Sequence, residues 1–384
     1  MTTRRDVLRG GIAVAGLSAL GIPDWILPAL AQGETIVPFT DVPATFPAPT
    51  ADRRTFDIRR IDGPFTPRDE FFTTQHYGHP VVDPARFQLT VSGLVKRPLS
   101  LSLDALRKLG TTDLVAGFEC SGNRRPLQGF SGNGRWSGVP LRVVLEQAGV
   151  RPEAREIVFF GADRGKEAVE FRTQKYEVEQ QFGRSLPRDK ALSADPFLAF
   201  AMNGEPLTRH QGSPLRLIVP GWYGVANVKW LTEIHAQEDQ YLGKYQARWY
   251  RTLRGETING ETKWTEAAIT HMQLKSFLAR VTRDASGRHT VLGVALNDGT
   301  ALEAVEVRID DGPWQRATMD PSTREKYSWK LFTYVWNDAR PGEHTLVSRV
   351  TDVNGQVQPT AEDLATKKTF LEDNSQHPRT VVIS

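Results

Sequence analysis

Apolar and polar residues alternate over short runs through the last third of this chain, and each run stops at a Gly-, Asn- or Asp-bearing turn. Residues 278–282, 290–295, 304–309, 330–336 and 344–350 carry the two-residue period of half-buried strands. The pairs Asp298-Gly299, Asp311-Gly312 and Asn354-Gly355 suit the positive φ of tight hairpin turns. Short strands at this spacing, with no helical stretch between them, predict an immunoglobulin-like β-sandwich over residues 266–384.

Upstream the pattern is mixed. Residues 88–93 alternate as a strand, and residues 157–161 and 215–220 are apolar runs that suit buried strands. Ser102 caps a helical pattern over 102–109, and a second amphipathic helix over 141–149 starts after Pro140 and stops at Gly149. Residues 56–255 therefore read as an α+β domain. A polar stretch, 256–265, reads as the linker to the sandwich. Residues 32–55, rich in Pro, Thr and Ala, read as an extended arm over the surface. A chain of 384 residues exceeds what one core usually serves, which agrees with two domains.

The first residues change the picture of where the chain works. Arg4-Arg5 opens a basic segment, a small apolar stretch covers 10–20, and Ala29-Leu30-Ala31 offers a small-x-small cleavage site. Residues 1–31 are expected to be a twin-arginine export signal, placing the mature protein in the periplasm. That route carries folded proteins, which points to a cofactor inserted before export. Pro23 and Asp24 break the apolar run, and no later segment is long and apolar enough to span a membrane, so no membrane anchor is expected. Loss of three arginines and two aspartates with the leader takes the net charge from +3 to +2, which gives no case for nucleic-acid binding.

Cysteine is the scarcest signal. The single Cys120 stands in Glu119-Cys120-Ser121-Gly122-Asn123-Arg124-Arg125. A lone thiol in an oxidising compartment has no disulfide partner and is open to oxidation. The basic run beside it predicts a lowered pKa and a thiolate, which is a nucleophile or a soft metal ligand. A buried structural Cys is the bland alternative. Four other clusters carry candidate chemistry. Residues 129–138 are Gly-rich, which taken alone reads as a surface turn. Arg209, His210 and Arg216 form a candidate anion clamp, commonly a solvated loop. Lys229 and Asn227 follow a Gly-Trp-Tyr-Gly turn, and Tyr250 lies between Arg248 and Arg251. No HExxH, CxxC, EF-hand or CxxCH haem spacing occurs, and no protease signature surrounds Cys120.

Taken together and in order, these motifs resemble the sulfite oxidase family of molybdenum enzymes across nearly the whole mature chain. The carriers are Cys120–Arg125, the Arg135-Trp136-Ser137-Gly138 stretch, Met202-Asn203-Gly204-Glu205-Pro206-Leu207, Gly212-Ser213-Pro214-Leu215-Arg216, and Val219-Pro220-Gly221 leading to Val228-Lys229-Trp230-Leu231. The resemblance implies a molybdopterin cofactor, with Cys120 as the metal ligand. His76, Arg125, Arg209, His210, Arg216, Asn227 and Lys229 would hold the anionic pterin. Tyr250 would be the active-site tyrosine. With no haem in the chain, electrons would leave to an external c-type cytochrome or similar carrier, and the sandwich hints at a homodimer.

One departure bears on substrate. The family's sulfite-binding arginine stands two residues before a cofactor-contacting histidine, and here that position, before His76, is Thr74. A second basic contact matches Lys330, which keeps the charge without the bidentate fork of arginine. Two enzyme readings follow: sulfite oxidised to sulfate with weakened binding, or the same cofactor acting on a less charged substrate such as an S- or N-oxide. An exported binding module is the third reading, and it leaves the leader and the ordered motifs unexplained.

Overall fold

Every alternating run becomes a strand. The computed structural model describes residues 33–44, 47–123, 126 and 128–384. The leader expected over 1–31, and Arg125, lie outside the described residues. The arm is stitched into the fold, because β1 (Thr35–Val37) pairs antiparallel with a C-terminal strand and Phe39 is buried in that core. β2 (Arg53–Arg54) pairs with β3 (Thr73–Thr74).

The central unit is built on two sheets. The first contains β4 (Leu89–Gly93), β5 (Leu99–Leu101), β8 (Glu156–Phe171), β9 (Gln174–Pro187) and β13 (Leu231–Gln237), in the order β5-β4-β13-β8-β9. Its β4–β13 pair is parallel. The second sheet contains β6 (Thr112–Glu119), β7 (Ser131–Pro140), β10 (Phe197–Met202), β11 (Glu205–Pro206) and β12 (Arg216–Ile218). The Gly-rich run 129–138 is thus the start of β7, a central strand with buried glycines, and not a surface turn.

Helices are brief. α1 (Leu103–Lys108) starts where the Ser102 side chain accepts from the Ala105 N–H. α2 (Leu141–Ala148) buries Leu141, Val144, Leu145 and Ala148, one helical face, and Gly149 closes it at φ 67°. α3 (Arg188–Leu192) and α4 (Lys244–Ala247) are one turn each. Sheets therefore dominate the α+β expectation. Among the described residues no helix is long and apolar enough to cross a membrane.

Residues 256–265, expected as a polar linker, are instead most of a hairpin between β14 (Arg251–Ile258) and β15 (Glu261–Ala268). Eight paired positions make the segment ordered ladder; its polarity reflects strands exposed on both faces. Beyond it, β16 (Lys275–Arg283), β17 (His289–Leu296), β20 (Thr318–Met319) and β21 (Lys330–Trp336) join β1 in one sheet. β18 (Leu302–Ile309), β19 (Gln315–Arg316), β22 (Gly342–Asp352) and β23 (Arg379–Ile383) form another. Leu278, Val291 and Phe332 from the first sheet share a core with Val305, Leu346 and Val381 from the second.

The two units are welded together. Phe56, Ile58 and Ile61, at the start of the central unit, are buried with Phe277, Leu292 and Trp329 of the C-terminal one. Close approach is also severe inside the central sheet. A Cβ on Gly138 would lie 2.0 Å from the Leu198 carbonyl oxygen, in the β7–β10 ladder. Gly138→Ala is expected to force the two strands apart and cost about 1–3 kcal/mol, seen as a lower midpoint in urea unfolding.

Candidate active site

Cys120 stands just past the end of β6, where the chain leaves the sheet and its N–H donates to the Phe130 carbonyl at 2.9 Å. Its sulfur opens into a cleft with about 610 Å³ of empty space, also lined by Thr74, His76, Asp163, Arg216, Asn227, Lys229 and Tyr250. They come from several segments distant in sequence, with Thr74 and His76 sharing one and Asn227 and Lys229 another. Thr74 is on β3, Asp163 lies in the irregularity of β8 between Phe160 and Arg164, and Arg216 opens β12. Tyr250 stands between α4 and β14.

His76 and Tyr250 form the reactive-looking pair, with Nε2 and Oη 2.9 Å apart. The imidazole is stacked on Tyr245 at 4.2 Å, which fixes its plane. Burial, with Lys229 and Lys244 adding to it, pushes His76 down to about 4, so it is neutral near pH 7. Burial raises Tyr250 strongly, keeping the phenol protonated.

Two cations form the floor. Arg216 is 4% exposed, with the Phe118 and Trp136 rings 5.4 and 5.0 Å from its guanidinium carbon. Its Nη1 donates to Gln211 O at 3.1 Å and its Nη2 to Asn227 O at 3.2 Å, while Nε has no partner among the described residues. Lys229 Nζ donates to Thr73 Oγ1 at 2.9 Å and to Thr74 O at 3.0 Å. Gly212 makes this convergence sterically open: at φ 98° its hydrogen faces Lys229, and a Cβ there would stand 2.6 Å from the Lys229 Cβ. Desolvation pushes Arg216 down to about 9. It pushes Lys229 down to about 7, with Arg216 adding and Asp163 and Cys120 opposing.

Not every expected residue reaches the cleft. Arg209 is exposed and donates from Nε to His79 O at 3.0 Å, and His210 Nδ1 lies 3.0 Å from His79 Nε2. Neither side chain lines the cleft; both are set against His79. Asn227 lines the cleft, but its side chain is spent on the turn, accepting from Val219 N and donating to Tyr223 O. Lys330 is also elsewhere: its Nζ donates to the Thr323 and Glu325 carbonyls, and burial pushes it down to about 8. The thiol expectation reverses too. Burial raises Cys120, Glu119 raises it further, and the Gly122 N–H at 3.4 Å, Arg53 and Lys275 only partly oppose this.

Asp163 was not foreseen. It is 3% exposed, its Oδ1 has no partner among the described residues, and burial pushes it up to about 6. The only sequence signal was a polar residue two places beyond the apolar run 157–161.

The sequence profile of the oxidoreductase molybdopterin binding domain matches residues 76–245. Sulfite oxidase of Gallus gallus is 30% identical over 326 residues, which cover 77% of this chain and 68% of that protein. This chain belongs to the sulfite oxidase family. The mitochondrial sulfite oxidase of Drosophila melanogaster is 31% identical over 329 residues, 77% of this chain, which spans only 55% of the fly protein's length. In fold, the crystal structure of the sulfane dehydrogenase SoxCD from Paracoccus pantotrophus is similar, with a TM-score of 0.72 over 91% of each chain at 24% identity.

Membership of this family implies a molybdenum-molybdopterin cofactor, and the cleft fits one. Arg216 and Lys229 are buried basic groups, and among the described residues neither forms an ion pair with Asp163, the carboxyl that also lines the cleft. An anionic ligand would relieve that cost, and the free Arg216 Nε offers it a donor. Cys120, whose sulfur lines the same cleft, would supply a soft ligand. The burden shows in the cofactor-free protein. Because Lys229 is lowered from 10.5 to about 7, the folded chain binds fewer protons than the unfolded one between those values. Stability should therefore rise with pH across that window. Lys229→Met is expected to remove that part of the slope, and melting temperatures of cofactor-free protein from pH 6 to 10.5 would show it.

Proposed function

We propose that this chain is an exported molybdenum-dependent oxidoreductase that oxidises a small sulfur oxyanion, sulfite first among them. The supporting observation is the meeting of Cys120, the His76–Tyr250 pair and the buried cations Arg216 and Lys229 in one cleft. The overall reaction adds the oxygen of one water to sulfite, giving sulfate, two protons and two electrons. When bound, molybdenum supplies the two-electron redox change. Electrons then pass to an external c-type cytochrome or similar carrier.

The chain's own groups bind and orient. Arg216 and Lys229 neutralise the anionic pterin, and Cys120 fixes the metal end. Tyr250, kept protonated, presents one O–H either to His76 or to a substrate oxygen, and Tyr245 holds the His76 ring in place. Phe182 and Phe118 add apolar wall, which strengthens each polar contact by excluding water. The C-terminal two-sheet unit is read as an immunoglobulin-type, dimerising domain, and the protein as periplasmic.

A less charged substrate is the second reading, favoured by two observations. Thr74 stands where the family has its sulfite-binding arginine, and the cleft adds the Asp163 carboxyl, a poor neighbour for a dianion.

Protein isolated from the periplasm is expected to hold about one molybdenum per chain, and Cys120→Ser almost none, by metal mass spectrometry. Metal-free wild-type protein from a cofactor-competent host would overturn the reading. Thr74→Arg restores a charge-assisted contact worth about 1.5–3 kcal/mol, so the sulfite KM should fall by about tenfold or more. Steady-state reduction of an artificial acceptor checks this, and an unchanged KM would favour the less charged substrate.

A further inference from the structure

The loop that carries Cys120 is tied both by its own neighbours and by Lys275 and Glu372, more than 150 residues further along the chain. We propose that Lys275, on the first strand of the C-terminal sheet, is a positioning residue that pins the Cys120 loop through a buried pair with Glu119. This rests on the reading of Cys120 as the metal ligand.

Lys275 Nζ donates to Glu119 Oε2 at 3.1 Å, on one side of Cys120, and to Asn123 O at 3.0 Å, on the other. Lys275 is 0% exposed and Glu119 2%. The same Glu119 oxygen accepts from Asn123 Nδ2 at 2.8 Å, so Lys275, Glu119 and Asn123 form a closed ring of hydrogen bonds through two side chains and both the amide and the backbone carbonyl of Asn123. Asn123 then grips the loop itself: its N–H donates to Cys120 O at 2.8 Å, and its Oδ1 accepts from Phe130 N at 3.0 Å. A second tie comes from further along, where Glu372 N donates to Ser121 O at 2.6 Å.

Between these ties the loop has little packing of its own, since Ser121-Gly122 offers no apolar side chain. A buried ion pair is directional, and small displacements leave its charges desolvated and unmatched. That makes it a register pin for the sulfur, present before any cofactor arrives. The C-terminal unit thereby becomes part of the active site, beyond any role in dimerisation.

Cys120 is the only cysteine, so its alkylation by iodoacetamide, followed by intact mass, reports loop opening at one position. The test uses full-length Lys275→Met/Glu119→Gln, which removes both charges and retains an amide acceptor for Asn123. Cofactor-free double variant should keep its circular dichroism, yet alkylate about tenfold faster than cofactor-free wild type. Protein from a cofactor-competent host should hold less than half the wild-type molybdenum, with a shifted visible thiolate-to-metal absorption band. A folded double variant with wild-type alkylation rate, metal content and band overturns the proposal. So does a double variant that fails to fold, since the pair would then support the core at large and not the loop. Should wild type itself hold no molybdenum, the cofactor reading fails, while the alkylation contrast in metal-free protein still decides the pin.

Discussion

Desolvated positive charge is the constraint around which this molecule is arranged. Arg216 and Lys229 are buried in a cleft whose mixed wall includes Phe118, Phe182 and Trp230, and among the described residues no carboxylate is paired to either. Unpaired charges in such a place cost several kcal/mol each or are neutralised, and a ligand of opposite sign would relieve that cost. The remainder of the central unit can be read as the apparatus that holds them there. β12 fixes Arg216, the Gly212 turn brings Lys229 against it, and the Asn227 amide locks the intervening turn.

The opposite solution operates a short way off. Lys275 and Glu119 are as deeply buried, but they neutralise each other and share Asn123. Removing one member of such a pair costs about 3–5 kcal/mol, because the survivor is left charged and dry. One pair is satisfied and rigid, the other set is unsatisfied and receptive, and Cys120 lies within the first and faces the second. The same contrast explains the thiol. Burial and the Glu119 charge raise its pKa in the free protein, so a bound metal would be what turns it into a thiolate.

Much of this was legible in advance. The two-residue period marked β16, β17, β18, β21 and β22, though not β19, β20 or β23, and Pro140 and Gly149 bracketed the second helix to within a residue. The rarity of cysteine singled out Cys120, and ordered motifs brought His76, Arg216, Lys229 and Tyr250 forward. Three expected residues do not line the cleft: Lys330, Arg209 and His210 were brought forward by the ordered motifs and the family resemblance, and their side chains meet Thr323, Glu325 and His79. Residues 256–265 looked like a linker because a strand exposed on both faces has no apolar period to display.

The sequence by itself determined the longer strands of the C-terminal sheets, the two short amphipathic helices, the lone cysteine and the family to which the chain belongs. These are set by periodicity, turn chemistry and contiguous motifs, all of which are local. Only the tertiary structure decided that Asp163 enters the cleft, that the arm supplies a strand to the C-terminal sheet, and that Lys275 reaches Glu119 across 156 positions of chain. Each of these depends on which surfaces are buried against each other. Burial is a property of packing between distant segments, and no local pattern encodes it.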